Sequence, residues 1–287
     1  MTDRKRSLWA LVGAALLWSL GGVGLKGVDW HPLALMGARS AFSALFLLCV
    51  MGKPKFNGSP AQIGAGVANA MVVILYVPAV KMTTAANAIL IQYTAPIWVA
   101  LLGAWLLKER PTWLDGVTLA ITLGGLALFF KDGFSGLSSY GDLLALLSGV
   151  ALAMMTLLLR KQKKGNALES IFLGCVLSAL FGLYWVITEP WPPLRAWIAM
   201  ALMGFFQHGL AHVLYCRALR HVTALEGILV STLEPVLNPV WVALVIHEYP
   251  QGWALAGGLM VLLSVTVRGV VLSLPKARAV LLGRNPS

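Results

Sequence analysis

His208 and His212 stand four residues apart, and Tyr215 continues the same helical face. Two imidazoles and a phenol in that register suit proton relay, metal binding or hydrogen bonding to a polar ligand. The zinc-protease pattern needs a glutamate directly after its first histidine, and Gly209 stands there instead. No metal or other cofactor is expected. Glu234 lies near the middle of an apolar run, 224–246, beside Pro235, with Glu226, Ser231, Thr232 and Asn238 around it. If that run crosses a bilayer, an ionised carboxylate at its centre costs roughly 2.5–3.5 kcal/mol. Glu234 is then protonated, paired or open to a wet cavity. It is a cavity wall or proton carrier on one reading, and a carboxyl bonded to a neighbouring helix on the other.

A second polar set has a similar setting. Asn87, Gln92, Tyr93 and Thr94 precede Pro96 in the run 84–107, and Trp98 follows. Proline lacks an amide proton and crowds the carbonyl four residues back, which here is that of Gln92. Asn69 and Tyr76, seven apart, share a face in the run 60–80. Trp18 and Ser19 sit midway along the first run, too deep for an interfacial aromatic belt. Trp18 is either a packing ring or a ring facing substrate. Arg39 falls inside the second run, where it points to water or pairs with an acid.

Other patterns carry no chemistry. The glycines at 22, 24 and 27 match a dinucleotide-binding spacing, but no strand precedes them. There is no Gly-x-Ser-x-Gly and no pair of catalytic acids on one face, so an enzyme is not expected. Cys49, Cys175 and Cys216 lie in apolar runs without metal or disulfide spacing.

The elements that must hold these residues are membrane spans. The chain is 59% hydrophobic and 11% charged, with mean hydropathy +0.80. Soluble domains carry about 25% charge. Ten apolar segments near 8–26, 33–52, 60–80, 84–107, 112–130, 141–160, 167–188, 195–216, 224–246 and 252–272 are each about 20 residues, the length of a spanning helix. The expected class is all-α: a polytopic membrane protein with short loops.

The chain also repeats itself. Residues 76–111 and 215–250 align without gaps at an offset of 139, with ten of 36 positions identical, including Tyr76/Tyr215, Pro96/Pro235, Glu109/Glu248 and Pro111/Pro250. Two related halves follow, 1–133 and 134–287. With the N-terminus in the cytoplasm, 17 of the 22 Lys and Arg residues fall in cytoplasmic segments and four outside, with Arg39 within a span. That bias predicts both termini inside. The net charge of +11 thus reports topology, not nucleic-acid binding. Five spans per half is odd, so the second half enters the membrane inverted, a device of alternating-access transporters.

Ten spans in two halves, a proline within each fourth span and a closing Glu-x-Pro resemble the drug/metabolite transporter superfamily, EamA type, over essentially the whole chain. Glu109-Arg110-Pro111 with Gly116, Gly124 and Gly125 resembles the end of one repeat, and Glu248-Tyr249-Pro250 with Gly257 and Gly258 the end of the other. The opening residues 9–28 resemble those of bacterial exporters in this group. The resemblance implies a multi-pass protein of the bacterial inner membrane, in contact with lipid, exporting small molecules through a central cavity. Amino acids, aromatic above all, are the expected substrates, with a multidrug or nucleotide-sugar-like carrier as the alternative. The expected lining is Trp18, Asn69, Tyr76, Gln92, Tyr93, Trp98, His208, His212, Tyr215, Ser231 and Glu234, with Pro96 and Pro235 as hinges. Oligomeric state is left open; a monomer suffices.

Overall fold

Helix starts are written into the sequence as cap-proline pairs. His31 caps Pro32–Met51 (α2) and Ser59 caps Pro60–Met82 (α3), each side chain accepting a bond from a first-turn amide before a proline whose missing donor is harmless there. Gly52, at φ 68°, ends α2. The computed structural model describes residues 3–21, 28–83, 85–131, 140–162, 167–246 and 252–273. The glycine-rich pattern at 22–27, the half boundary at 133/134, the second Glu-x-Pro at 248–250 and the tail after 275 lie outside them.

The described residues are helical and contain no strand. Around α2 and α3 lie α1 (Asp3–Ser19), α4 (Ala85–Gln92), α5 (Ala95–Leu106), α6 (Trp113–Phe129), α7 (Tyr140–Lys161) and α8 (Ala167–Thr188). Then come α9 (Leu194–Leu202), a π-helical segment Met203–Leu210, α10 (Ala211–Ala218), α11 (Ala224–Ser231), α12 (Leu233–Ile246) and α13 (Trp253–Ser273). Among the described residues, seven helical segments are long and apolar enough to cross a membrane, one (87–106) counted through its break and one (194–218) through a π-helical stretch. The other three expected spans fall short for particular reasons. α1 and α6 have 17 residues each; the ninth run, divided into α11 and α12, is not among the seven.

Both proline-bearing runs break at matching places. α4 ends at Gln92 and α11 at Ser231, an offset of 139, and each proline follows within a few residues. Proline removes the amide that would have continued the ladder. Thr94 Oγ1 then bonds the Ile91 carbonyl at 2.7 Å, and Thr232 Oγ1 the Leu229 carbonyl at 2.6 Å. The freed Gln92 carbonyl lies against Gly149 of α7, where an added Cβ would sit 2.7 Å away.

Packing pairs α2 with α8, α6 with α13, and α5 with α11. α3 packs on α7 and α8; the α9–α10 stretch packs on α1 and α2. α4 and α5 lie on α7, as α11 and α12 lie on α1. Gly125 and Gly257, from the expected repeat ends, let α6 and α13 approach backbone to backbone. Leu11, Ala14 and Ala15 of α1 are buried, so α1 is part of the core. Leu45, Leu101, Trp105, Leu180, Leu244 and Leu263 are exposed, while Arg39, Asn69, His212 and Thr156 are buried. That inverted distribution suits an apolar solvent. The chain is a multi-pass membrane protein.

Candidate functional site

At the centre, α10 and the π-helical segment bring their side chains against α1. The Trp18 ring packs edge-on to His212 and to Tyr215, with centroids 5.2 Å away in both cases. His208 and His212 meet at 4.4 Å, as their spacing predicts, and His212 Nδ1 lies 2.7 Å from the His208 carbonyl. The Tyr215 hydroxyl and Thr156 Oγ1 are 2.9 Å apart, which ties α10 to α7. Ser231 lies beside that hydroxyl and bonds the Gly227 carbonyl at 3.1 Å.

Across the centre, Tyr93 donates its hydroxyl proton to Glu234 Oε2 at 2.7 Å. Both residues stand where a proline has broken the helix, so this bond joins the two interruptions, one from each repeat. Tyr76 of α3 lies within electrostatic reach of both. Ser19 Oγ accepts a bond from Trp241 Nε1 at 2.8 Å, linking α1 to α12.

Three of the expected lining residues make contacts with neighbouring helices. Asn69 is packed against Gly174 of α8. Gln92 donates to Ser148 Oγ at 2.7 Å, and Ser148 in turn to the Val72 carbonyl. Trp98 packs among Ala95, Val99, Ala224 and Ile228, between α5 and α11. Arg39, whose partner the sequence does not name, donates from Nη1 to Gln207 Oε1 at 3.4 Å, and Gln207 Nε2 donates to the Trp18 carbonyl at 3.3 Å. Gln207 lies in the π-helical segment. Gly204 lies so close to the Arg39 carbonyl that a Cβ would sit 2.7 Å from it. Helices of this kind concentrate at functional sites.

One end of the bundle carries an ionic cluster. Glu226, grouped by sequence with the residues around Pro235, belongs here: it pairs with Arg4 and stands 3.5 Å from Arg268 Nη1. Arg268 donates from Nε and Nη2 to Asp115 Oδ1 at 2.8 and 2.6 Å. Glu109 accepts from Arg160 Nε at 2.8 Å and from the Ala224 amide at 2.9 Å. The signal was present in Thr112-x-x-Asp115 and Thr223-x-x-Glu226, helix-opening patterns whose acids sit at α6 and α11 starts. A cleft of about 170 Å³ opens among these residues. Among the described residues, no three His, Cys, Asp or Glu side chains are grouped to hold a metal.

Residues 5–131 and 139–268 each match the EamA-like transporter family. The chain belongs to that family. The pseudopaline exporter CntI of Pseudomonas aeruginosa (strain UCBPP-PA14) is 25% identical over 234 residues, 79% of this chain and 82% of CntI. An uncharacterized transporter of Archaeoglobus fulgidus is 23% identical over 265 residues, 90% of this chain and 94% of the relative. A solved crystal structure, 19% identical, superposes with TM-score 0.79 over 96% of this EamA chain and 98% of its own, which is a likeness of fold.

Proposed function

We infer that this EamA-type transporter is a ten-span exporter of the bacterial inner membrane, with both termini cytoplasmic. On this reading it moves amino acids, aromatic ones foremost, and related small metabolites by alternating access between halves 1–133 and 134–287. The observation that carries the reading is the central meeting of both repeats: Tyr93 bonds Glu234, and the Trp18 ring packs edge-on against His212 and Tyr215. Aromatic rings give edge and face surfaces for a substrate ring, and the hydroxyls and imidazoles give hydrogen bonds for its polar end.

The inverted arrangement is supported by the packing. Exchanging the halves turns α3 on α7 into α10 on α1, and α4–α5 on α7 into α11–α12 on α1. Contacts such as α2 with α8 and α6 with α13 map onto themselves. A two-fold axis in the membrane plane gives that pattern. Pro96 and Pro235 are the hinges on this reading, since each stands at a broken helix where backbone torsion is least constrained.

Uptake into proteoliposomes of a labelled aromatic amino acid, competed by amino acids, cationic drugs and nucleotide sugars, tests the substrate. Competition confined to amino acids is expected; displacement by drugs or nucleotide sugars alone sinks the reading. Similarity to a pseudopaline exporter favours a second reading, a carrier of a different secreted metabolite within the same fold. For coupling, a pH-driven flux that survives Glu234→Gln rules out that carboxyl as proton carrier. Unchanged export by Pro96→Ala and Pro235→Ala removes the hinges.

A further inference from the structure

Among the described residues, the buried guanidinium of Arg39 is under-supplied with acceptors. It carries five donors in a rigid fork. One of them reaches Gln207 at a long 3.4 Å, and Nε has no partner among the described residues. The residue is only 8% exposed. Among the described residues no carboxylate stands within ion-pair distance of it. Glu234, the acid within its electrostatic reach, is bonded to Tyr93 instead. The other groups around it offer no counter-charge. His208 and His212 face it from the π-helical segment and α10, and Cys175 of α8 is bonded to Ser43.

Other polar groups near it along α2 and α8 are unpaired too. The Ser40 and Ser178 hydroxyls are buried without partners among the described residues. The contacts Gly37–Gly182 and Ser43–Cys175 bracket these two serines, so they stand at one height where α2 and α8 cross. The contrast with the other interior arginine is sharp: Arg268 is 4% exposed but spends Nε, Nη1 and Nη2 on two acids. An unpaired cation in a membrane interior is costly and marks a ligand path, and the missing element here is an anion.

The geometry points to Arg39 as the anchor for a substrate carboxylate, taken by its fork with Gln207 as the neighbouring hydrogen-bonding group. This rests on the exporter reading and narrows it to substrates bearing a free carboxylate whose ring lies toward Trp18. The Gln207 amide bonded to the Trp18 backbone couples the two ends of such a ligand. Charge-assisted, bidentate contacts of this kind are the strong ones, and lysine replaces them poorly.

The test is tryptophan fluorescence of the full chain in nanodiscs, titrated with phenylalanine, phenylacetate and phenethylamine. The wild type is expected to bind the two carboxylates at least about tenfold more tightly than the amine, and Arg39→Gln to weaken both carboxylates by about tenfold or more while leaving the amine unchanged. Arg39→Lys falls between. Equal affinity of the wild type for phenylacetate and phenethylamine, or no response to any of the three, overturns the proposal without any variant. Unweakened carboxylate binding by Arg39→Gln overturns it as well. Phenylalanine uptake is measured in parallel. Phenylacetate binding that depends on Arg39, with no phenylalanine flux, leaves the anchor standing and sinks the amino-acid reading; flux that ignores Arg39 does the reverse.

Discussion

Two buried polar regions of this transporter follow opposite rules. At one end, Arg4, Glu109, Asp115, Arg160, Glu226 and Arg268 form pairs, and main-chain amides and carbonyls complete them. At the centre, Arg39, Tyr93, Gln207, His208, His212 and Glu234 share single or long bonds, and donors are left over. A region whose bonds are all made within the protein has nothing to offer a ligand, and losing one member strands its partner. A region with bonds left unmade is costly to fold but ready for a passing molecule. On the proposed function, the end holds the bundle together and the middle handles the ligand. The end cluster joins α1, α6, α11 and α13, elements from both repeats.

The largest effect should come from stranding Arg268. Glu226→Ala and Asp115→Ala each remove one of its two acids. Breaking a buried pair from one side costs about 3–5 kcal/mol. A large fall in the thermal inactivation midpoint of the purified protein is expected, and Glu226→Gln should fall less because it keeps an acceptor. If Glu226→Ala were milder than Glu234→Ala, the division between a holding end and a handling centre would be reversed.

Next is Gly149, which sharpens the comparison because it touches the helix break beside the central site. A Cβ there meets the Gln92 carbonyl at 2.7 Å. That oxygen is main chain and cannot swing away. Gly149→Val should cost about 1–3 kcal/mol, the range for overpacking, and Gly149→Ala less. Both should shift substrate affinity as well as stability, because α4 and α5 would have to move with Tyr93. Stability loss with unchanged affinity would separate the break from the site.

Much of the frame was legible because hydropathy and repetition are long-range signals. The offset of 139 foretold that α4 and α11 would stop at equivalent residues. His208, His212 and Tyr215 met as their spacing required. The neighbours of Asn69, Gln92 and Trp98 were not legible, because depth along a helix does not say which neighbour a residue faces. That depends on how the halves pack, and Asn69 turned to α8, Gln92 to Ser148. The π-helical segment left no trace in periodicity, so the Arg39–Gln207 contact could not be read. Glu226 shows the opposite failure: Thr223-x-x-Glu226 announced a helix start, but its place in an apolar run drew the eye to Pro235.

The smaller predictions test the centre itself. Tyr93→Phe removes the hydroxyl that holds Glu234, and interhelical bonds in membranes are worth about 0.6 kcal/mol on average and up to about 1.7. A double-mutant cycle with Glu234→Gln should give a coupling in that range for stability and a matching coupling in export. Additive effects would mean that the 2.7 Å contact does no joint work. Thr156→Val, the weakest change, removes the partner of the Tyr215 hydroxyl. It should cost about 0.6 kcal/mol, since that is the membrane average for one bond. Tyr215 has a second neighbour in Ser231, so its ring should stay against Trp18 and export should change little. A strong export defect in Thr156→Val with normal stability would move the α7–α10 contact from the holding region into the handling one.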